Sequence, residues 1–186
     1  MLDPADCGPA VISMSQDVQG EAYDYPEIFF EEKIHEIRRI HPDPNQIQKA
    51  ADKLKQSKQP IIISGGGVLY SEAEEEISAF AKKHNIPVTA TVMGIGCMNK
   101  DDPYYISAIG CLGEGSSNNL ATDTDLALAV GTKLGDFTTG SWTNFENENF
   151  QLVSINTSRF DTTKHRATPV VSDAKIGLQE LSLIHI

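Results

Sequence analysis

The sequence is poor in cysteine and has no long apolar run. Its three cysteines, Cys7, Cys97 and Cys111, are an odd number without paired spacing, which argues against a disulfide framework or a zinc site and favours a reducing compartment. No apolar run approaches the roughly 20 residues that span a bilayer. The first residues have neither the basic start nor the apolar stretch of an export signal. We therefore expect a cytoplasmic protein without a membrane partner.

Basic residues are also scarce. The 186 residues include 15 Lys and Arg against 26 Asp and Glu, a formal net charge of -11. Such a field repels phosphate backbones and anionic lipid, so we expect no nucleic-acid partner. Hydrophobic residues make up 40% of the chain, enough for one sizeable core, whereas two full domains would be cramped.

Apolar runs without alternation indicate strands that are buried on both faces of a parallel sheet. Ile61–Ile63 and Leu126–Val130 are the clearest such runs, whereas the stretch from Asp43 to Lys55 has its apolar residues at helical spacing. The pattern predicts strands at 61–64, 87–91, 126–130, 150–155 and 168–171, and helices at 43–55, 71–84, 117–122 and 173–181. Strands that alternate with helices predict an α/β fold with a doubly wound, Rossmann-like parallel sheet.

Several helix starts carry capping residues. Asp43 and Asp173 each precede a helical stretch, where a carboxylate accepts hydrogen bonds from the first free amides. Ser71 and Glu74 have the spacing of a capping box, which predicts a helix that begins at Ser71.

The chain organisation suggests a domain within a larger protein. Gly8–Met14 forms an apolar run that we interpret as the last strand of a preceding domain, so that residues 1–20 end that domain and residues 21–42 form a linker. The central domain then covers residues 43–180. Residues 181–186 interrupt the helical pattern and match the translation of a common sequencing adapter, so we interpret them as an artefact.

Gly65, Gly66 and Gly67 are candidate cofactor-binding residues, because glycines between a strand and a helix let backbone amides approach a pyrophosphate. Tyr70, however, occupies the third glycine position of the dinucleotide motif, and no acidic residue ends the second strand to hold a ribose. Two interpretations stay open: a dinucleotide site, or a turn that lets helix and strand pack closely.

Two further groups of residues allow more than one interpretation. His165, between Lys164 and Arg166, could bind an anion or act as a base, or it could belong to an exposed loop or an interdomain contact. The acids at 101–102 and 146–148 could attract a divalent cation or form solvated loops.

From Ile61 onward, the order of these signals resembles the central domain of thiamine diphosphate enzymes such as acetolactate synthase, a Rossmann-like relative of the NAD/FAD-binding fold. The matching features are Gly65–Gly67 after a strand, Gly110–Gly113 before a helix with Asn118, and Asp125–Gly131 leading to Asp136–Phe137 and Gly140. Gly8–Val11 and Gln16–Val18 resemble the closing strand of the preceding pyrimidine-binding domain.

Two stretches resemble one particular group of enzymes within this family. Residues 136–142 and 155–165 resemble the trihydroxycyclohexane-dione hydrolases of inositol catabolism. The resemblance implies a parent enzyme that opens a cyclic diketone by carbon–carbon hydrolysis, with thiamine diphosphate as carbanion stabiliser and magnesium to hold the diphosphate. It also implies a small-molecule substrate, flanking domains in the same chain and a homo-oligomer.

The resemblance assigns no catalytic or metal-binding residue to this chain. In this family the cofactor-activating glutamate lies in the domain before residue 1 and the Gly-Asp-Gly to Asn magnesium motif lies after residue 180. The nearest string here is Gly135-Asp136-Phe137, which Phe137 breaks. Some relatives bind FAD on the central domain, but Asn156 stands where those often have an acid. The fragment alone is therefore expected to be inactive.

Two alternatives remain at this point. One is the central domain of an acetolactate synthase-like carboligase, and the other is a free-standing module that binds FAD or NAD.

Overall fold

The computed structural model describes residues 2–184, and the chain divides into two compact units at the Arg38–Arg39 bond. In the first unit the described residues form a short helix, α1 (Gln16–Gln19), and a 3₁₀ turn at Glu27–Phe30. None of them is buried. The strand predicted at Gly8–Met14 is absent, because a strand needs a hydrogen-bonded neighbour and no segment within residues 2–184 pairs with it.

The second unit holds the sheet and its helices. Within the described residues the strands are β1 (Pro60–Ser64), β2 (Val88–Ala90), β3 (Tyr105–Ala108), β4 (Leu126–Val130), β5 (Gln151–Asn156) and β6 (Thr168–Val171). The helices are α2 (Pro44–Gln56), α3 (Gly66–Tyr70), α4 (Glu74–His84), α5 (Gly115–Asp123), α6 (Asp136–Thr139), α7 (Arg159–Thr163) and α8 (Ala174–Leu183). None of the helices in residues 2–184 combines the length and apolar character that crossing a membrane requires.

The strands form one sheet in the order β3-β2-β1-β4-β5-β6, and every neighbouring pair is parallel. The chain therefore winds outward in one direction from β1 to β3 and in the other direction from β4 to β6. This is the doubly wound order of Rossmann-like domains, which confirms the predicted fold class.

Both faces of the sheet are covered. Ile62 and Leu128 point into a core that also contains the apolar stripes of α2, α4 and α8, whereas Ile61 and Ile63 belong to a second core on the opposite face with Ala121 of α5. Side chains along a strand alternate between the faces, so a strand with apolar residues at every position needs both cores. The unbroken apolar runs had predicted this arrangement.

Two predicted caps are present and one is not. Asp43 accepts a hydrogen bond from the amide of Asn45, and Asp173 accepts from the amides of Lys175 and Ile176. The capping box at Ser71 is wrong, because the chain forms the short helix α3 first and α4 begins only at Glu74. The Ser71 hydroxyl instead accepts from the amide of Ala174, the first residue of α8.

The structure differs from the predicted elements in further places. Strand β3 was not predicted, because its four residues are only half-buried at the sheet edge and no apolar run marks them. Helix α8 continues to Leu183, two residues beyond its predicted end. The interpretation of residues 181–186 as an adapter stays a prediction, as do the limits of the preceding domain and linker, and residues 185 and 186 lie outside the described chain.

Asp173 is the best-connected cap. Besides the first amides of α8, its carboxylate binds the guanidinium of Arg39 at 3.1 Å from each oxygen, and it is 7% exposed. Asp173→Ala should lower the free energy of unfolding by about 2–3 kcal/mol, since it removes a cap and leaves Arg39 without its closest carboxylate. Urea unfolding followed by circular dichroism measures this.

The matched control is Asp43→Ala, which removes the cap of α2 from an exposed position and should cost about 1 kcal/mol. Asp173→Asn keeps an acceptor for the cap and should fall between the two. Equal losses for Asp173→Ala and Asp43→Ala would show that the pair with Arg39 contributes nothing.

Candidate functional site

The loops at the carboxyl edge of the sheet surround a cleft of about 500 Å³. It lies between β1 and β4, where the direction in which successive strands are added to the sheet reverses. This is the topological switch point at which doubly wound domains bind ligands. The loops after β1, β2, β3 and β4 all contribute. The lining residues are Gly66, Gly67, Tyr70, Thr91, Val92, Met93, Ile109, Leu112, Gly131, Thr132, Lys133, Gly135, Phe137 and Thr138.

The glycine turn after β1 lies against the turn after β4 with almost no space between them. A Cβ atom on Gly67 would lie 2.6 Å from the Cα of Gly131, and one on Gly65 would lie 2.3 Å from the carbonyl oxygen of Gly131. Gly131 itself has φ +61°, a conformation that favours glycine. The glycines therefore let two backbones meet, which is the packing role left open by the sequence.

The amides of this turn are largely used within the protein. Gly65 donates its N–H to the carbonyl of Val130 at 2.8 Å, and Gly67 donates to the carbonyl of Gly131 at 2.9 Å. A dinucleotide site of this kind needs such amides free to approach a pyrophosphate. Gly66 and Gly67 do line the cleft, but the turn faces a neighbouring loop.

Asn156, at the end of β5, is also engaged in its own turn. Its Nδ2 donates to the carbonyl of Thr132 at 3.1 Å, and its Oδ1 accepts from the amide of Ser158 at 2.9 Å. A ribose hydroxyl requires a free acceptor at such a position, usually a carboxylate. Together with the glycine turn, this arrangement does not fit FAD or NAD.

Hydrogen bonds between Gly110 and Asn118 join the loop after β3 to the start of α5. Asn118 accepts from the Gly110 amide at 2.9 Å and donates to the Gly110 carbonyl at 3.0 Å. The Cys111 amide donates to the carbonyl of Phe137 at 2.8 Å, which ties this loop to α6. A Cβ on Gly110 would lie 2.2 Å from the same Phe137 carbonyl oxygen. Gly110, Asn118 and Phe137 belong to the family resemblance in the sequence, but the hydrogen bonds that join their loops were not predicted. Of the three residues, Phe137 lines the cleft.

His165 is not among the residues that line the cleft; it contacts Trp142, the only tryptophan of the sequence. The ring centroids of His165 and Trp142 are 4.2 Å apart, so the two stretches that resemble the hydrolases meet in space. Burial lowers the pKa of His165 below its ordinary value of 6.5, and the adjacent charge of Lys164 lowers it further. Trp142, with φ +67°, and His165, with φ +56°, both have left-handed backbones, a conformation that costs about 1–3 kcal/mol in a non-glycine residue.

The acidic candidates do not converge. Asp102 accepts from the hydroxyl of Ser78 in α4 and from the amide of Tyr104 in its own turn, so it joins α4 to this turn. Within residues 2–184, no group of three or more His, Cys, Asp or Glu side chains could hold a metal ion. Asp136 is exposed at the start of α6 and is followed by Phe137. The described residues therefore do not fit the diphosphate–magnesium site of a thiamine enzyme.

Fold and cleft together define a doubly wound, Rossmann-like domain of the kind that carries ligand loops at a topological switch point. Within this class, the family model described as the central domain of thiamine pyrophosphate enzymes matches residues 47–181. The chain belongs to this family, which confirms the resemblance seen in the sequence.

Two similar curated proteins share one description. The chain is 41% identical over 182 residues to the 3D-(3,5/4)-trihydroxycyclohexane-1,2-dione hydrolase of Clostridium tetani, covering 98% of this chain and 28% of that protein. It is 42% identical over 181 residues to the protein of the same name from Halalkalibacterium halodurans, covering 97% and 28%. The chain thus spans 28% of the length of these relatives.

A solved structure supports the fold. The crystal structure of benzoylformate decarboxylase from Polynucleobacter necessarius superposes with a TM-score of 0.64 at 23% identity, covering 90% of this chain and 31% of that one. At this identity the likeness concerns the fold alone.

The contact between the two turns can be tested by adding one methyl group. Gly67→Ala and Gly131→Ala should each lower the free energy of unfolding by about 3 kcal/mol, because the new Cβ meets backbone that cannot rotate away. Gly115→Ala is the matched control, since Gly115 has open space around it and an ordinary φ. Stability of all three variants unchanged from the parent would contradict the close approach.

The contact of His165 with Trp142 predicts a pH-dependent signal. The imidazole of His165 binds a proton less readily in the native protein than in the unfolded chain. The free energy of unfolding should therefore fall as the pH drops below 6.5. Protonated imidazole quenches indole fluorescence, and Trp142 is the sole tryptophan. Its emission should fall with a midpoint below pH 6.5 in the native protein.

His165→Gln should abolish this transition. His84→Gln should keep it, although burial lowers the pKa of His84 as well, because His84 packs on Phe80. A transition that survives in His165→Gln would contradict the assignment.

Proposed function

We propose that this chain is the central scaffold domain of a thiamine diphosphate-dependent hydrolase that opens a trihydroxycyclohexane-1,2-dione ring in inositol catabolism. The observation that carries the proposal is the 41% identity to a hydrolase of that name across 98% of the chain. The two stretches that resemble the hydrolases also meet in space, at the contact between Trp142 and His165.

Hydrolysis between the two carbonyl carbons of such a ring is balanced by one water. The carbon–carbon bond breaks, the hydroxyl group of water joins one carbonyl carbon to give a carboxylic acid, and hydrogen joins the other to give an aldehyde. Thiamine diphosphate, when bound, supplies a sink for the electron pair that the broken bond leaves on carbon.

The residues of this chain serve as a support in this proposal. Within residues 2–184, no three or more His, Cys, Asp or Glu side chains converge on a metal site, and the glycine turn packs against the loop after β4. We propose that other domains of the same chain bind thiamine diphosphate and Mg²⁺, and that this domain spaces and orients them. A cytoplasmic homo-oligomer acting on a small molecule remains part of the proposal.

The test is an activity assay on the full-length protein encoded at the source locus. With thiamine diphosphate and Mg²⁺, it should consume the cyclic dione and release one proton per ring, because the new carboxylic acid ionises at neutral pH. A pH-stat measures the proton, and ¹H NMR detects the aldehyde. The 186-residue chain alone should show no turnover under the same conditions.

Two results would contradict the proposal. Conversion of pyruvate to acetolactate with release of CO₂, and no action on the dione, would identify a carboligase. Ring opening by the 186-residue chain alone would show that the catalytic groups lie within it.

A further inference from the structure

The cleft at the carboxyl edge has apolar walls that are open to solvent. Met93 is 65% exposed, and Leu112 and Phe137 are each 72% exposed, while Ile109 forms a buried part of the lining. Large apolar side chains that surround one concave site mark a surface that binds something. The polyhydroxylated dione of the proposed function is a poor match for such walls, so the occupant has a different chemistry.

One charged group faces this apolar cleft. Lys133 is the only charged residue among those that line it, and within residues 2–184 its ammonium group forms no hydrogen bond or ion pair. An ammonium group without a protein partner in an apolar cleft favours a ligand with one anionic group, because a charge-assisted hydrogen bond is stronger than a neutral one.

The volume of the cleft and the hydrogen bonds around it limit the kind of ligand that it can bind. A volume of about 500 Å³ lies within the range of about 300–1,000 Å³ that small-molecule sites occupy. A dinucleotide does not suit it, because the amides of Gly65 and Gly67 are bonded to the loop after β4 and Asn156 is engaged in its own turn.

We propose that this cleft binds a small ring-containing monocarboxylate, with its apolar ring against Leu112 and Phe137 and its carboxylate on Lys133. The site is independent of the proposed function, because none of its residues is assigned to the hydrolysis. The ligand class follows from three features of the lining: apolar walls, one cation and limited volume.

The test uses 2-naphthoate as the probe and the 186-residue chain labelled with ¹⁵N. Titration should give saturable shifts in ¹H–¹⁵N spectra that are concentrated at the amides of Gly66, Gly131, Lys133 and Phe137. The neutral analogue 2-naphthol should bind about tenfold more weakly, because it lacks the charge-assisted hydrogen bond. FAD should give no saturable shift at these amides.

Substitutions test the charge of Lys133 and the apolar lining of the cleft separately. Lys133→Gln should raise the dissociation constant for 2-naphthoate about tenfold, whereas Lys100→Gln, at another exposed lysine outside the cleft, should leave it unchanged. Leu112→Asp should abolish binding, since it places a like charge in the apolar wall.

Three results would overturn the proposal. The first is the absence of saturable shifts at millimolar 2-naphthoate, and the second is equal binding of naphthoate and naphthol with no effect of Lys133→Gln. The third is broadening of the cleft amides with protein concentration alone, removed by Leu112→Asp, which would make the cleft an interface between copies of the chain.

Discussion

The meeting of two backbone turns, the glycine turn after β1 and the turn at Gly131 after β4, governs the architecture of this domain. A single methyl group on either side would place atoms at 2.6 Å or closer, so neither turn can take an ordinary residue without moving. Because β1 and β4 are neighbours at the point where the winding reverses, this contact fixes where α3 begins. It also sets the floor of the cleft. The same glycines that resemble a dinucleotide motif are thereby used for packing.

The loops around this contact are joined to one another by hydrogen bonds between backbone and side chain. Asn118 holds both backbone groups of Gly110, and the neighbouring Cys111 amide binds the carbonyl of Phe137. Hydrogen bonds between these loops hold them in one conformation, so the edge of the domain has a defined surface. The chain belongs to the family of the central domain of thiamine pyrophosphate enzymes.

Much of the sheet could be predicted from the sequence because buried parallel strands have an obvious signature. Leu126–Val130 and Thr168–Val171 were predicted with the bounds that the structure gives them. The edge strand β3 was missed, since Tyr105–Ala108 is only half-buried and carries no apolar run. The role of Ser71 was also mispredicted, because its hydroxyl binds the start of α8, about 100 residues later in the chain, and local spacing does not report a partner so distant.

The cleft could not be predicted for a related reason. Its walls come from four loops, and no short stretch contains enough of them to form a motif. Gly65–Gly67 marked the correct end of the sheet, but the decisive partner, Gly131, ends a different strand. Only the pairing of β1 with β4 brings the two together.

The central claim is that this chain is one domain of a longer thiamine diphosphate enzyme, and extending the coding sequence of the source DNA in both directions tests it most directly. We expect one open reading frame with a cofactor-activating glutamate in the upstream domain and a Gly-Asp-Gly to Asn motif in the downstream domain. Translation that starts at the Met1 codon, with an in-frame stop codon upstream of it and another directly after the last residue, would contradict this claim.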